Sequence, residues 1–166
     1  MKHVTGGFAL VGFMAAGKSS LGPPLSHALG LGFVDLDQVI VRDAGLEISE
    51  IFALHGERHF RSVEARVLRQ VLALGPVVLA CGGGVLDSRG SLQALKSWGR
   101  VVFVDVDLQT SMGRMGADPT RPLSTDPELA ARFARRQGDY QNADLRVDGT
   151  QDLGSLVRII LEHPWN

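Results

Sequence analysis

The feature that most constrains the fold is a glycine-rich loop near the start of the chain. Residues 12–19 read Gly-Phe-Met-Ala-Ala-Gly-Lys-Ser, which matches the pattern G-x-x-x-x-G-K-[ST]. An apolar run precedes this loop and a helical pattern follows it, which is the context that gives the motif its meaning. Glycines let the backbone curl so that its N–H groups surround phosphate oxygens, and the helix N-terminus adds partial positive charge. The loop therefore predicts a nucleotide site, and its candidate residues are Gly12, Ala15, Ala16, Gly17, Lys18, Ser19 and Ser20.

Lys18 and Ser19 give this loop its chemistry. In such loops the lysine reaches the β- and γ-phosphates, and the hydroxyl is offered to Mg²⁺. A phosphate loop alone is compatible with a small-molecule kinase, a nucleotide kinase, a GTPase or a motor protein. The chain lacks the Asn-Lys-x-Asp with which a GTPase would read its base, and its length favours a small kinase with a second substrate site.

Apolar runs alternate with helical patterns along the chain. Strands are predicted at residues 8–12, 32–35, 77–81, 101–105 and 144–148. Helices are predicted at 18–29, 37–43, 48–54, 57–74, 88–98, 108–115, 127–140 and 153–162. This alternation predicts an α/β fold with a parallel sheet covered on both faces, in which ligands bind beyond the carboxyl ends of the strands.

Composition narrows the class of protein. The 166 residues predict one domain spanning 1–166, and the 45% of hydrophobic side chains suffices for a core. A net charge of −1 argues against a nucleic-acid partner, and no apolar run approaches the ~18 residues of a membrane span. The single Cys excludes an intramolecular disulfide and a cysteine zinc cluster. We expect a cytoplasmic protein.

One pair of prolines conflicts with the helical pattern. Pro23 and Pro24 fall inside the helix predicted after the phosphate loop. An interior proline removes a backbone hydrogen bond and clashes with the preceding turn, at a cost of about 3 kcal/mol. We therefore expect a kink or a short break after the first turn.

Two carboxylates follow the second predicted strand. Asp35 and Asp37 are separated by one residue and are expected to face the phosphate loop. One is suited to hold Mg²⁺ through water, and the other to accept a hydroxyl proton from an acceptor substrate. The alternative is structural, because Asp is common at helix N-caps and Asp37 would cap a helix starting at Gln38.

Further candidates lie on the long helix and after the third strand. Arg61 and Glu64 share a helix face, where the arginine can grip a carboxylate that the glutamate orients; the alternative is an exposed salt bridge. Gly82, Gly83 and Gly84 would let the backbone approach a ligand closely, unless they form a loose turn. Cys81 is expected to be a small buried hydrophobe.

Three arginines follow the fourth strand. Arg114, Arg121 and Arg136 flank or occupy residues 116–127, whose Gly, Pro, Asp and Thr content is typical of a loop. A loop that carries Arg121 over a phosphate site would act as a mobile lid, supplying charge and excluding water. The alternative is that all three are solvated surface arginines.

Taken in order, these motifs resemble the shikimate kinase family. The resemblance rests on residues 12–19, Asp35-x-Asp37, Phe60-Arg61-x2-Glu64, Gly82-Gly83-Gly84 and Arg121-Pro122-Leu123, and it covers nearly the whole chain. It implies a monomeric enzyme that uses ATP and Mg²⁺ to phosphorylate the 3-hydroxyl of shikimate, in chorismate and aromatic amino-acid biosynthesis. It also implies a three-layer P-loop kinase fold with sheet order 2-3-1-4-5, a substrate-binding region at about 36–64 and a lid at about 114–127.

The resemblance also implies roles for individual residues. Lys18, Asp37 and Arg121 would be catalytic, and Ser19 and Asp35 would hold the metal. Arg114 would pack on adenine, and Arg121 would reach the ATP phosphates. Shikimate would be bound by Asp37, Phe52, Phe60, Arg61, Gly82, Gly83, Gly84 and Arg136.

Three departures from the family pattern leave questions open. Ala15 replaces a frequent glycine, which we expect to be tolerated if its φ stays negative. Gly22-Pro23-Pro24 replaces residues that usually continue the helix. A shortened segment before Arg136 leaves Arg135 and Arg132 as alternatives for its role. Two other functions stay open: a kinase for another polyol acid, such as gluconate, and a non-catalytic kinase-like binding protein.

Overall fold

The computed structural model describes residues 6–116 and 128–165, and these form three layers around a parallel sheet. The strands are β1 (Gly7–Val11), β2 (Gly32–Asp35), β3 (Val77–Ala80), β4 (Gly99–Asp105) and β5 (Leu145–Asp148). The helices are α1 (Lys18–Leu29), α2 (Leu36–Ala44), α3 (Ile48–Ala73), α4 (Ser91–Trp98), α5 (Leu108–Met115), α6 (Leu129–Tyr140) and α7 (Leu153–Glu162). A short 3-10 helix at Val85–Asp87 precedes α4.

The sheet has the order β2-β3-β1-β4-β5, and every neighbouring pair is parallel. This confirms the α/β fold with a parallel sheet that the sequence pattern predicts, and the sheet order that the family resemblance implies. Because β1 is central, all five of its residues are buried, and alternate side chains enter two cores. Ala9 and Val11 face the core under α3, whereas Phe8 and Leu10 face the core under α1 and α7.

Helix α1 is one continuous element, so of the kink or short break predicted after its first turn, the break is wrong. The helix runs from Lys18 to Leu29 and ends at Gly30 in the left-handed region. Leu21 and Leu25 are fully buried against the sheet. Each buried leucine contributes about 1.5–3 kcal/mol, which offsets the local cost of the prolines.

Helix α3 contains a kink, as the two separate helices predicted for this stretch suggest. Gly56 interrupts it with φ 79° and ψ 170°. Leu54 and His55 before the kink are exposed, whereas Phe60 and Val67 after it are buried. Residues on both sides of the kink, Phe52 before it and Phe60 after it, line a cavity described below. None of the helices in the described ranges is both long and apolar enough to cross a bilayer.

The space around the α-carbon differs sharply between two glycines, and substituting each by alanine tests the packing. A Cβ on Gly99 would lie 2.1 Å from the backbone oxygen of Gly7 in the paired strand. A Cβ on Gly138, within α6, would meet no atom within 4 Å. We expect Gly99→Ala to destabilise the fold by about 1–3 kcal/mol and Gly138→Ala to stabilise it by about 0.5–1 kcal/mol. Urea unfolding measures both, and a shift of the same sign in the two variants would contradict the packing.

Candidate active site

The phosphate loop leaves the end of β1 and enters α1 with a strained backbone. Gly12 has φ 151°, and a Cβ there would lie 2.3 Å from the carbonyl oxygen of Val104. Gly17 is the N-cap of α1 with φ 102°, and its position provides no side-chain cap for the first turn. The amides of that turn are therefore left for another acceptor, and an anion is the acceptor that a helix N-terminus favours.

Ala15 adopts the left-handed conformation, so the condition on which we expected the alanine to be tolerated, a negative φ, is not met. Its φ is 57°, a region that costs an alanine about 1–2 kcal/mol. The Arg114 guanidinium holds this turn, because its Nη1 donates to the carbonyls of Ala15 at 3.1 Å and Ala16 at 3.2 Å. Its Nη2 donates to the carbonyl of Gly149 at 3.1 Å. Arg114 is an exposed residue, but these hydrogen bonds tie its guanidinium to the loop.

Lys18 is buried and lies back across the loop. Its Nζ donates to the carbonyls of Gly12 at 2.7 Å and Phe13 at 2.8 Å. The loop borders a cavity of about 340 Å³. This nucleotide-side cavity is lined by Ala15, Ala16, Gly17, Lys18, Ser19, Ser20, Asp35, Asp37, Cys81, Gly82, Gly83, Arg114, Gly149, Gln151 and Leu153.

The two aspartates after β2 have different local roles. Asp35 is the N-cap of α2 and accepts from the amides of Asp37 at 3.0 Å and Gln38 at 3.4 Å. The alternative in which Asp37 caps a helix starting at Gln38 is therefore wrong, because the helix begins two residues earlier, at Leu36. The second oxygen of Asp35 accepts from the Ser19 hydroxyl at 2.5 Å. Asp37 lies in the first turn of α2, at the wall between two cavities.

A second, larger cavity of about 540 Å³ lies on the other side of Asp37. This acceptor-side cavity shares Asp35, Asp37, Gly82 and Gly83 with the nucleotide-side cavity. Its apolar wall includes Phe52 and Phe60, whose ring centroids are 4.7 Å apart. Its polar end is formed by Arg61, Glu64 and Arg136. Because the two cavities share lining residues, ligands bound in the two cavities would lie next to each other.

Arg61 and Glu64 form a buried pair, not an exposed salt bridge. Arg61 Nη1 donates to Glu64 Oε2 at 2.8 Å, and the two side chains are 16% and 2% exposed. Burial raises the pKa of Glu64, against the opposing effect of Arg61, and Asp37 and Asp87 raise it further. Burial also works against the charge of Arg61, but its acidic neighbours keep the pKa of that guanidinium above its ordinary value.

The triple glycine lets charged side chains from other elements approach its backbone. A Cβ on Gly84 would lie 2.4 Å from Arg61 Nη2 and 2.6 Å from Arg136 Nη2. A Cβ on Gly82 would lie 2.8 Å from Glu64 Oε1 and 3.1 Å from Asp37 Oδ1. Gly83 accepts through its carbonyl from the Tyr140 hydroxyl. These glycines are therefore closely packed against charged side chains and do not form a loose turn.

Arg136 is the arginine of α6 that reaches the acceptor-side cavity. It is 2% exposed, and it lines that cavity, which neither Arg132 nor Arg135 does. Its partner is Asp87, at the end of the 3-10 helix, a residue that the sequence analysis did not single out.

Arg121 and the segment 117–127 lie outside the described residues. Cys81 is buried as expected, and burial raises the pKa of its thiol.

The phosphate loop, the sheet order and the two adjoining cavities are those of a P-loop phosphotransferase. A family model described as shikimate kinase matches residues 14–163. The chain is 39% identical to a shikimate kinase of Geobacter metallireducens over 145 residues, which is 85% of this chain and 81% of that protein. It is 42% identical to a shikimate kinase of Gloeobacter violaceus over 143 residues, covering 83% and 80% of the two chains. The chain belongs to the shikimate kinase family.

Solved structures agree with this assignment. A shikimate kinase from Acinetobacter baumannii in complex with shikimate superposes with a TM-score of 0.88 at 30% identity, covering 95% of this chain and 92% of that one. The shikimate kinase of Aquifex aeolicus gives 0.83 at 34% identity, covering 93% of each chain. A gluconokinase from Sinorhizobium meliloti gives 0.60 at 19% identity, covering 95% and 90%, and shares the fold alone.

The raised pKa of Glu64 predicts a pH dependence of stability. The folded protein holds the proton of the Glu64 carboxyl more tightly than the unfolded chain does. The contribution of this carboxyl to the free energy of unfolding is therefore fully present below its ordinary pKa of 4.5. This contribution is lost as the pH rises through the pKa that Glu64 has in the folded protein. We expect the free energy of unfolding of the wild type, relative to Glu64→Gln, to fall as the pH rises above 4.5. Urea unfolding across a pH series measures this, and a difference that grows with pH would contradict it.

Proposed function

We propose that this chain transfers the γ-phosphoryl group of ATP to the 3-hydroxyl of shikimate. The observation that carries the proposal is the wall shared by the two cavities. Asp35, Asp37, Gly82 and Gly83 border both, with the phosphate loop on one side and paired arginines on the other. A phosphate chain and a hydroxy acid bound on the two sides would meet at this wall.

On the nucleotide side, backbone amides and one lysine would hold the phosphates. The uncapped first turn of α1 directs its N–H groups toward the nucleotide-side cavity, where a phosphate supplies the acceptor. The Lys18 ammonium would exchange the carbonyls of Gly12 and Phe13 for oxygens of the transferring phosphoryl group. Arg114 lines this cavity beside Gln151 and Leu153, a position suited to packing on adenine.

The residues after the loop fit a magnesium ion. Ser19 Oγ and Asp35 Oδ2 lie 2.5 Å apart at the edge of the nucleotide-side cavity, and both are the hard oxygen ligands that Mg²⁺ prefers. We propose that the Ser19 hydroxyl ligates the ion and that Asp35 holds it through water. When bound, the ion would neutralise charge on the phosphate oxygens. The N-cap bonds to the amides of Asp37 and Gln38 keep the Asp35 carboxylate in place.

Asp37 is the proposed base. Its carboxylate would take the proton of the acceptor hydroxyl while that oxygen forms its bond to the γ-phosphorus. The bond between that phosphorus and the bridging β–γ oxygen breaks, and ADP leaves. Asp37 is suited to this step because it lies at the shared wall, on the first turn of a helix whose start is fixed by Asp35.

Arg61 and Arg136 are the proposed grip for the substrate carboxylate. Both converge on Gly84 at the polar end of the acceptor-side cavity, and each is already paired with a carboxylate of the protein. Glu64 supports Arg61 from within the core. The backbone at Gly82–Gly84 would contact the substrate hydroxyls, and Phe52 and Phe60 would pack on the ring face of the substrate.

We further propose that the chain acts as a monomer with one domain over 1–166.

Coupled ADP release tests this proposal directly. With Mg·ATP present, we expect ADP production to depend on shikimate and to be absent with gluconate. The reason is that two arginines and two phenylalanines are suited to a rigid ring with one carboxylate. Turnover with gluconate at a comparable rate would overturn the acceptor assignment. ATP binding without turnover of either acid would favour the non-catalytic alternative.

The role of Asp37 predicts a selective loss of turnover. We expect Asp37→Asn to lower kcat by about 10²–10⁴-fold, because the amide accepts no proton, while the Kd for ATP stays within about twofold. Asp43→Asn is the matched control, since Asp43 lies on the same helix but pairs with Arg66 outside both cavities. Near-normal turnover of Asp37→Asn would reduce Asp37 to a structural residue.

The role of Arg61 predicts a selective loss of acceptor affinity. We expect Arg61→Ala to weaken shikimate binding by about 2–5 kcal/mol, because the substrate carboxylate loses a buried partner. Arg66→Ala, on the same helix and paired with Asp43, should leave that affinity unchanged. Calorimetric titration with shikimate measures both. Equal affinities of the two variants would contradict the proposed grip.

A further inference from the structure

Asp87 occupies one edge of the Arg136 guanidinium. Its carboxylate accepts from Arg136 Nε at 3.1 and 3.2 Å and from Nη2 at 2.6 Å. Nε and Nη2 form the side-on edge of the guanidinium, so this fork is fully engaged. The remaining edge, formed by Nη1 and the second Nη2 hydrogen, is the one that another carboxylate could use.

Each of the two arginines keeps one buried nitrogen that donates to none of the neighbouring acids. Arg136 Nη1 is buried and has no hydrogen-bond partner among the described residues. The same holds for Arg61 Nε, because Arg61 uses Nη1 for Glu64 and Nη2 for Glu57 at 3.4 Å. A buried donor without an acceptor is unfavourable, so an incoming acid that accepts from these nitrogens is stabilised by both arginines.

Asp87 also faces the second arginine. Its Oδ2 lies 3.7 Å from Arg61 Nη2, while both Nη2 groups crowd the same glycine, Gly84. Two guanidinium groups at such a short separation repel each other unless an anion lies between them. Asp87 is that anion, and Glu64 balances Arg61 from the opposite side.

We infer that Asp87 is a positioning residue for acceptor binding. By taking the side-on edge of Arg136, it fixes the plane of the guanidinium and leaves the end-on edge for the substrate carboxylate. By lying beside Arg61 as well, it holds the two cations close enough to share one acid. Asp87 acts through Arg136 and touches no reacting atom. This inference rests on the proposed carboxylate grip of Arg61 and Arg136.

The inference is distinct from simple competition. An acid that competed with the substrate would cover the edge the substrate needs, and its removal would tighten binding. Asp87 instead covers Nε and Nη2, while the unpartnered nitrogen is Nη1. Its short helix, Val85–Asp87, directly follows the triple glycine, so its position is set by the same turn that seats both arginines.

Binding of shikimate and of its uncharged methyl ester tests the inference. In the wild type, the ester should bind more weakly than shikimate because it carries no charge for the arginines. In Asp87→Ala we expect the Kd for shikimate to rise about tenfold, the Kd for the ester to change less than twofold and kcat to fall less than threefold. The preference for the acid therefore shrinks. Asp87→Asn, which keeps one acceptor oxygen, should lie between the two and serves if the alanine variant does not fold.

A double variant and a control variant complete the test. Adding Asp87→Ala to Arg136→Ala should raise the Kd for shikimate less than twofold further, because the residue acts through that arginine. Asp105→Ala is the matched control, since Asp105 pairs with Arg146 at 2.5 Å and lines neither cavity; its affinities should equal those of the wild type.

The outcomes separate this inference from the proposed function. A wild type that binds acid and ester equally would overturn the arginine grip itself. A wild type that prefers the acid, with the same preference in both Asp87 variants, would overturn only the role of Asp87. Tighter shikimate binding in Asp87→Ala would show competition and overturn it as well. Equal losses for acid and ester would show a merely structural residue.

Discussion

The site depends on the backbone ladder between β1 and β3. The pairing runs from Phe8 with Val78 to Leu10 with Ala80, and the amide of Cys81 extends it by donating to the Leu10 carbonyl at 3.0 Å. This last bond holds the triple glycine against the phosphate loop, where a Cβ on Gly83 would lie 3.1 Å from Met14 Cγ. Because parallel strands end at the same edge, the loop after β1 and the acids after β2 meet the glycines there.

Charged side chains are buried at this edge of the sheet, and each buried arginine is paired with a carboxylate. Arg61 lies between Glu64 and Asp87, and Arg136 lies against Asp87, so each cation has an anion within hydrogen-bond or ion-pair distance. An unpaired buried charge would cost several kcal/mol, which a domain of marginal stability would not tolerate. The paired arrangement holds both arginines in place before substrate arrives, so less ordering entropy is lost on binding.

Much of this structure could be predicted from the sequence, because periodicity and glycine position report backbone geometry. All five strands and the start of α1 lie within about two residues of their predicted places. Asp87 was missed because its pairing with Arg136 joins residues 49 apart in the chain, which no local pattern reveals. The continuity of α1 through Pro23 and Pro24 depends on tertiary packing, and the positive φ of Ala15 depends on bonds from Arg114.

The wall shared by the two cavities has a consequence for inhibitor design. Asp35, Asp37, Gly82 and Gly83 line both pockets, which are therefore adjacent. A single molecule that joins a cyclic hydroxy acid to a phosphate chain would occupy both, and its second half would bind at the high effective concentration set by a short linker. Such a ligand would gain selectivity over other phosphate-loop enzymes from the arginine end and affinity from the loop end.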